Sequence, residues 1–373
     1  MPRFALVTSG LGNTHGGIGV VAAMIARALS RHGATSIWRH RYERRASIRL
    51  GLLFARSLAG SVPPPDFVFY DHVDLARLHA LNPLLTRVPY GIFLHGAEVW
   101  RPMDPRRRHA IEHAAVLCAG SSTTVARMRR DNPWLPAATV TWLGVRPRAA
   151  SISASTNGAA STASTSHATT SPPPSSVATA RAPMALIVGR MDRTERRKGH
   201  DPILDGWPAV SAAVPEARLV VLGGGDDRAR LEERVRREAL RNVEFRGAVS
   251  DTERDELYAA CGVFLFPSTQ EGFGLAAIEA ALAGAPVLGV RGEVIEEILA
   301  DGSILIDAPT GEAIAEAAIR VLRDPALARA LGERGRARAR ATYLEENFVD
   351  RFERAVLPHL EARAADVSGR PTP

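Results

Sequence analysis

Two short stretches carry residues whose types and spacing suit chemistry on an anion. The first is "VGRMDRTERRKGHD", Val188 to Asp201. The chain has 47 Lys and Arg, and Lys198 is the single lysine among them. An arginine is a planar fork for paired oxygens, whereas a lysine is a compact point charge that sits against one. Arg190 leaves the carboxyl end of the apolar run "MALIV" after Gly189, and Lys198 follows in a polar loop before a helix. Gly199 beside it permits close backbone approach. A guanidinium and an ammonium converging on such an edge would clamp a diphosphate. "RTERRK" is also the composition of a solvated loop, and this stretch alone does not separate the two readings.

The second stretch is "PSTQEGFGLAAIEAALAGAPVLG", Pro267 to Gly289. Gly272 and Gly274 precede a helix whose first N–H groups make a ready anion site. Glu271 enters the turn, and Glu279 lies about two helical turns further on. That spacing suits one carboxylate near a reacting sugar and one accepting hydrogen bonds from ribose hydroxyls. Glu271 is equally a favourable partner for the helix N-terminus. Glu279 stands among alanines and leucines, where a carboxylate requires partners.

The elements that would position these residues alternate between short apolar runs and helical periods. In the first half "FALVTSG", "TSIWR", "FVFYDH", "GIFLHG", "AAVLCAGSS" and "ATVTWLGV" read as strands, with a helix over "GGIGVVAAMIARALSRHG". In the second half "MALIVGRM", "ARLVVLGGG", "VEFRGAV", "GVFLFPS", "APVLGV" and "SILID" are strands separated by helices. The alternation predicts an α/β chain with two Rossmann-like domains, their parallel sheets facing a central cleft. Ligands of such sheets sit beyond the carboxyl ends of the strands. The segment between the halves is dominated by Ser, Thr, Ala and Pro and has no apolar face to offset its ordering entropy. The expected layout is a first domain over 1–148, a disordered linker over 149–182 and a second domain over 183–345. A terminal helix and tail over 346–373 would pack back on the first domain.

Bulk properties narrow the classes. The composition, 46% hydrophobic and 23% charged, is that of a folded globular chain. The opening apolar run is too short for a secretory signal, and no run approaches the roughly 20 residues of a membrane span. Cys118 and Cys261 have no metal or redox spacing and read as buried small side chains. The expected location is cytoplasmic, peripheral on the inner face of the cell membrane. Residues 1–150 hold 20 Arg against 8 Asp and Glu (+12), and the rest 27 basic against 32 acidic (−5), which sum to the net +7. The basic half suits an anionic membrane surface; a solvated arginine-rich face fits as well. Nucleic acid is not expected, since no aromatic-interleaved basic motif or zinc-finger spacing occurs.

Taken together, "VGRMDRTERRKGHD", "VVLGGGDDRARLE", "VEFRGAVSDTERDELYAACGVFLFPS" and "EGFGLAAIEAALAGAPVLG" resemble the retaining glycosyltransferases of family 4, which have the GT-B fold. The resemblance covers residues 184–345 in order, and its E-x7-E element is Glu271 and Glu279. It implies Arg190 and Lys198 on the donor diphosphate after Gly189, Glu271 against the donor sugar and Glu279 on the ribose. It also implies that Phe273, Gly274 and Leu275 bring backbone amides to sugar and phosphate. The interval between Arg190 and Lys198 is longer than in the commonest form of the family motif. In the first half "THGGIGVVAAMIARAL" looks like the family's glycine-rich loop, with Gly16 and Gly17 approaching donor phosphates or acceptor. "FLHGAEVW" looks like its segment with a cleft histidine, here His95, with Glu98 helping to hold the acceptor.

The implied reaction moves a sugar from a UDP-, GDP- or ADP-sugar to a hydroxyl of a glycan or lipid-linked acceptor, with retention at the anomeric carbon. No cofactor and no metal are expected beyond the nucleotide-sugar co-substrate, because Arg190, Lys198 and helix-terminal amides would balance the leaving group's charge. Three other readings remain at this point. A catalytically degenerate nucleotide-sugar-binding protein would keep the same residues. "GLGNTHGG" has a dinucleotide-loop spacing that invites an NADPH-dependent oxidoreductase. "HAIEH", His109 to His113, has the spacing of a zinc peptidase motif but lacks a third ligand nearby.

Overall fold

The structure, a computed structural model, describes residues 2–11, 16–39, 65–77, 79, 85–96, 98–146 and 181–368, with no side chains described beyond position 359. It resolves into two compact units. The first comprises Met1–Val145, Gln270–Leu275 and Thr342–Pro373; the second comprises Arg146–Thr269 and Ala276–Ala341. The Ser/Thr/Ala/Pro-rich stretch lies outside the described residues up to position 180, and a strand begins at Ala182.

The first unit is built on β1 (Arg3–Thr8), β2 (Ala34–Arg39), β3 (Phe67–Tyr70), β4 (Tyr90–Leu94), β5 (Val116–Ala119) and β6 (Thr139–Val140). They form one sheet in the order β2-β1-β3-β4-β5-β6, every pair parallel. Its helices are α1 (Gly16–Ser30), α2 (Val73–Ala76), α3 (Pro105–Glu112) and α4 (Ser122–Asp131). Asp104 starts α3 by accepting the Arg106 and Arg107 amides at 3.0 and 3.1 Å, with Pro105 at the first helical position.

Strand alternation supplies two apolar faces. Val68, Tyr70, Ile92 and Leu94 enter one core. Phe69 and Phe93 face the chain's last helix, Glu345–Ser368, where Phe352 lies edge-on to Phe69 with centroids 4.9 Å apart and Phe348 stands 6.5 Å from Phe93. Phe348 and Phe352 are buried, each worth about 1.5–3 kcal/mol by area transfer. The helix is fixed further by ion pairs from Arg27 to Glu345 and Arg31 to Glu353, and by Arg351 donating to the Thr141, Trp142 and Thr342 carbonyls.

The second unit repeats the plan with β7 (Ala182–Val188), β8 (Arg218–Leu222), β9 (Val243–Gly247), β10 (Cys261–Leu265), β11 (Val287–Val290) and β12 (Ser303–Ile306). The order is β12-β11-β10-β7-β8-β9, again all parallel. Around it stand α5 (His200–Ala213), α6 (Arg228–Arg237), α7 (Asp251–Ala260), α8 (Leu275–Leu282), α9 (Val294–Leu299), α10 (Gly311–Arg323) and α11 (Pro325–Thr342); the terminal helix is α12. Near-continuous apolar strands such as β10, buried at all five positions, are what a sheet covered on both faces requires. Cys118 and Cys261 are free and buried, and burial pushes both thiols up to about 12. Among the described residues no helix is long and apolar enough to cross a membrane.

Candidate functional site

In the second unit the expected residues gather at the carboxyl ends of β7 and β10. Gly189 closes β7 by donating to the Leu222 carbonyl at 3.0 Å. Arg190 follows with its side chain 66% exposed, reaching Asp192 at 3.2 Å and Glu195 at 2.7 Å. Two acidic neighbours hold its fork at the strand edge without burying it, so an incoming diphosphate would compete with carboxylates already in place.

Lys198 ends a 3-10 turn, Arg193–Lys198, and is half-buried. The turn is tied down on two sides. Asp226 accepts the Arg193 amide at 2.8 Å, and buried Asp227 accepts from Arg196 at 3.2 Å. Arg230 grips Asp227 at 2.8 and 2.7 Å, and this pairing pulls the carboxyl down from 3.8 to about 2. On the other side the Arg197 carbonyl accepts the Thr269 amide at 3.1 Å. Gly199 has φ +87°, and a Cβ there would stand 2.6 Å from the Pro267 ring. Only glycine lets the loop lie this close to the end of β10. His200 starts α5 buried, and burial pushes its imidazole down to about 4.

Glu279 has the partners its apolar helix demanded. Tyr258, 1% exposed on α7, donates its hydroxyl to Oε2 at 3.0 Å, and Arg254 Nε stands 3.6 Å away. The α7 start is capped by Ser250, which accepts the Glu253 amide at 3.1 Å, so the helix bearing Tyr258 and Arg254 is fixed in phase.

The rest of the motif clusters with the first unit. Gly272 packs against the end of β4 so closely that a Cβ would come 2.1 Å from the His95 carbonyl. Its own carbonyl accepts from Ser121 Oγ at 2.8 Å and Thr124 Oγ1 at 3.0 Å. Phe273 is buried, edge-on to Tyr343 with centroids 5.6 Å apart. Gly274 is buried with φ +88°, Leu275 starts α8, and Glu271 is half-buried in the turn. Gly16 and Gly17 open α1, and a Cβ on Gly17 would be 3.9 Å from Leu275 Cδ1.

His95 stands at the carboxyl end of β4, half-buried. Its Nε2 lies 2.6 Å from the Asp71 carbonyl, and its amide donates to Glu98 Oε1 at 2.6 Å. Glu98 is therefore engaged in holding the His95 turn. Burial lowers the His95 pKa while Glu98 pulls it the other way. A carbonyl accepts only, so Nε2 carries the proton and Nδ1 of the neutral ring keeps its lone pair.

Residues passed over in the sequence are the ones that hold others: Asp227, Tyr258, Arg254, Ser121 and Thr124. Their signals are weak, because each acts across a fold contact rather than along the chain. The rival motifs gain little. The His109 and His113 rings lie 4.0 Å apart, tilted by 37°, with His113 Nδ1 2.9 Å from the His109 carbonyl. Among the described residues no group of three His, Cys, Asp or Glu is placed to hold a metal ion. The dinucleotide-loop spacing falls largely on residues 12–15, outside the described residues.

Two six-stranded parallel sheets flanked by helices define the class: this is the GT-B fold of nucleotide-sugar glycosyltransferases. Sucrose-phosphate synthase from Thermosynechococcus elongatus is similar with a TM-score of 0.74 at 20% identity, over 97% of this chain and 100% of that one. Anabaena HepE in complex with UDP-glucose gives 0.71 at 15% identity, over 96% and 100%.

Residues 175–338 match the family described as Glycosyl transferases group 1. The chain is 28% identical over 174 residues to a GDP-mannose-dependent monoacylated alpha-(1-6)-phosphatidylinositol monomannoside mannosyltransferase of Corynebacterium glutamicum, covering 44% of this chain and 45% of that one. It is 31% identical over 148 residues to a phosphatidyl-myo-inositol mannosyltransferase of Mycobacterium leprae, covering 38% of each. The matches thus span less than half the length of these curated relatives.

Proposed function

We propose that the chain is a retaining, metal-independent glycosyltransferase of family 4 that moves a sugar from a nucleoside-diphosphate sugar to an acceptor hydroxyl. The observation that carries this reading is Arg190 at the carboxyl end of β7, with Gly199, next to Lys198, seated against Pro267 beyond β10, inside the segment that matches the group 1 family. As the glycosidic bond breaks, the departing diphosphate gains negative charge. A preorganised guanidinium, an ammonium and the amides of Phe273, Gly274 and Leu275 stabilise that charge in the role a metal ion plays elsewhere. Glu279 receives the ribose hydroxyls, Glu271 faces the donor sugar, and His95 with Nδ1 unprotonated accepts from a sugar hydroxyl.

The relatives' names favour GDP-mannose as donor and a phosphatidylinositol mannoside as acceptor. Such an acceptor, and a first half of +12 that anionic lipid would attract, support a peripheral position on the inner face of the cell membrane. Incubation with GDP-mannose and extracted phosphatidylinositol mannosides, followed by proton NMR of the product, tests the reading. An α-linked mannose supports it. A β-linked product contradicts retention, and no product with GDP-, UDP- or ADP-sugars contradicts transfer.

A further inference from the structure

Asp71 is a buried carboxyl that the proposed reaction does not use. It follows β3 at the carboxyl edge of the first sheet, is 0% exposed, and its Oδ1 makes no hydrogen bond of normal geometry among the described residues. Oδ2 lies 2.5 Å from Thr8 Oγ1, and that hydroxyl lies 2.7 Å from the Gly10 carbonyl while accepting the Gly10 amide at 3.0 Å.

Counting protons across this chain of atoms decides the state of Asp71. A threonine hydroxyl has one hydrogen and two lone pairs. The Gly10 amide uses one lone pair, leaving one hydrogen and one lone pair for two oxygens. The Gly10 carbonyl has no hydrogen to give, so the Thr8 hydrogen goes to it, and the remaining lone pair accepts a hydrogen from Asp71. Every contact is then made. With Asp71 ionised, the single hydrogen of Thr8 must serve either the carboxylate or Gly10, and one short oxygen–oxygen contact becomes repulsive.

We propose that Asp71 is a neutral carboxylic acid through the acidic range up to near-neutral pH, donating to Thr8 Oγ1 and so fixing the Ser9–Gly10 turn that leads into the glycine-rich segment before α1. Through its backbone carbonyl the same residue holds the His95 ring by Nε2. It is a positioning residue for both. The groups facing it are Thr8 at the end of β1 and Ser9 after it, His95 just after β4 and His72 beside it in the chain, with Glu98 beyond on the His95 backbone amide. Burial pushes Asp71 from 3.8 up to about 7, against the pull of Thr8 and the Ser9 amide. The folded chain therefore keeps a proton that the unfolded chain releases. The stability this confers is complete below about 4 and is lost as pH rises through about 7. The proton on Asp71 stands on geometry alone, whereas its bearing on transfer rests on the proposed roles of Gly16, Gly17 and His95.

Infrared difference spectra of the full chain in D2O, wild type minus Asp71→Asn, test the first part. A protonated-carboxyl band should be present at pH 5 and fade with a midpoint near 7. A midpoint below 5, or no band, overturns the proposal. Thr8→Val guards against a variant that fails to fold: removing the acceptor should shift the wild-type band, and an unmoved band overturns it equally. These readouts need no turnover, so they stand apart from the proposed reaction. For the second part, the wild-type KM for the nucleotide-sugar should rise about tenfold at pH 8 as the competent neutral fraction falls. The Asp71→Asn profile should be flat over the same range. Parallel profiles overturn the positioning role.

Discussion

Removing one oxygen from Tyr258 isolates how Glu279 is held. Tyr258→Phe keeps the ring that packs edge-on against Phe264 and deletes only the hydroxyl donating to Glu279 Oε2 at 3.0 Å. A hydrogen bond to a charged acceptor contributes about 1.5–3 kcal/mol. Glu279 is 28% exposed, so water recovers part of the loss, and Arg254 at 3.6 Å retains its attraction. The expected cost is thus about 1–2 kcal/mol of stability, or a factor of about 5–30 in the unfolding constant. Urea unfolding measures it. Because Glu279 is the proposed ribose acceptor, nucleotide-sugar affinity should weaken by a similar factor in a titration of the folded variant. Wild-type stability in Tyr258→Phe would refute the claim that the phenol supports this carboxylate. Lost stability with unchanged donor affinity would refute the link from Glu279 to the ribose.

Other consequences follow from the same geometry. Lys198→Ala should lower turnover by about 10²–10³ while melting as the wild type does, if the ammonium meets charge that develops in the transition state; unchanged turnover in the folded variant removes it from the clamp. Asp227→Asn releases Arg196 and Arg230 from the loop. Because Asp227 titrates from 3.8 down to about 2 on folding, its contribution is present above about 4 and vanishes as pH falls through about 2. The variant should therefore be less stable at neutral pH by about 1 kcal/mol, allowing for the exposure of both guanidiniums, and should converge on the wild type near pH 2 in acid melting curves. Excess EDTA should leave the transfer rate intact; complete loss restored by a divalent cation contradicts the charge assignment to Arg190 and Lys198.

The strand and helix pattern was legible because buried parallel strands are continuous apolar runs, and "MALIV" and "GVFLF" name β7 and β10 without ambiguity. Lys198 was legible as an exception in an arginine-rich chain, and Glu279 as a charge in an apolar helix. The fold supplies what one-dimensional spacing could not. Glycines 272 and 274 read as an anion cradle, yet Gly272 is also demanded by the His95 carbonyl 2.1 Å from its absent Cβ. Glu98 read as an acceptor ligand, and the fold adds a second task, since its Oε1 accepts the His95 amide. Asp71 was in plain sight at a strand end, but its significance depends on Thr8, which is 63 positions away.

The most direct test of the central claim is a thermal-shift panel of UDP-, GDP- and ADP-sugars on wild type and on Lys198→Ala. A donor at a hundred times its Kd stabilises by about 2.7 kcal/mol, which raises the melting temperature measurably. The account predicts that at least one nucleotide-sugar does so in the wild type and that the shift shrinks sharply in the variant. A panel in which none stabilises the protein, or in which the variant responds as the wild type does, contradicts it.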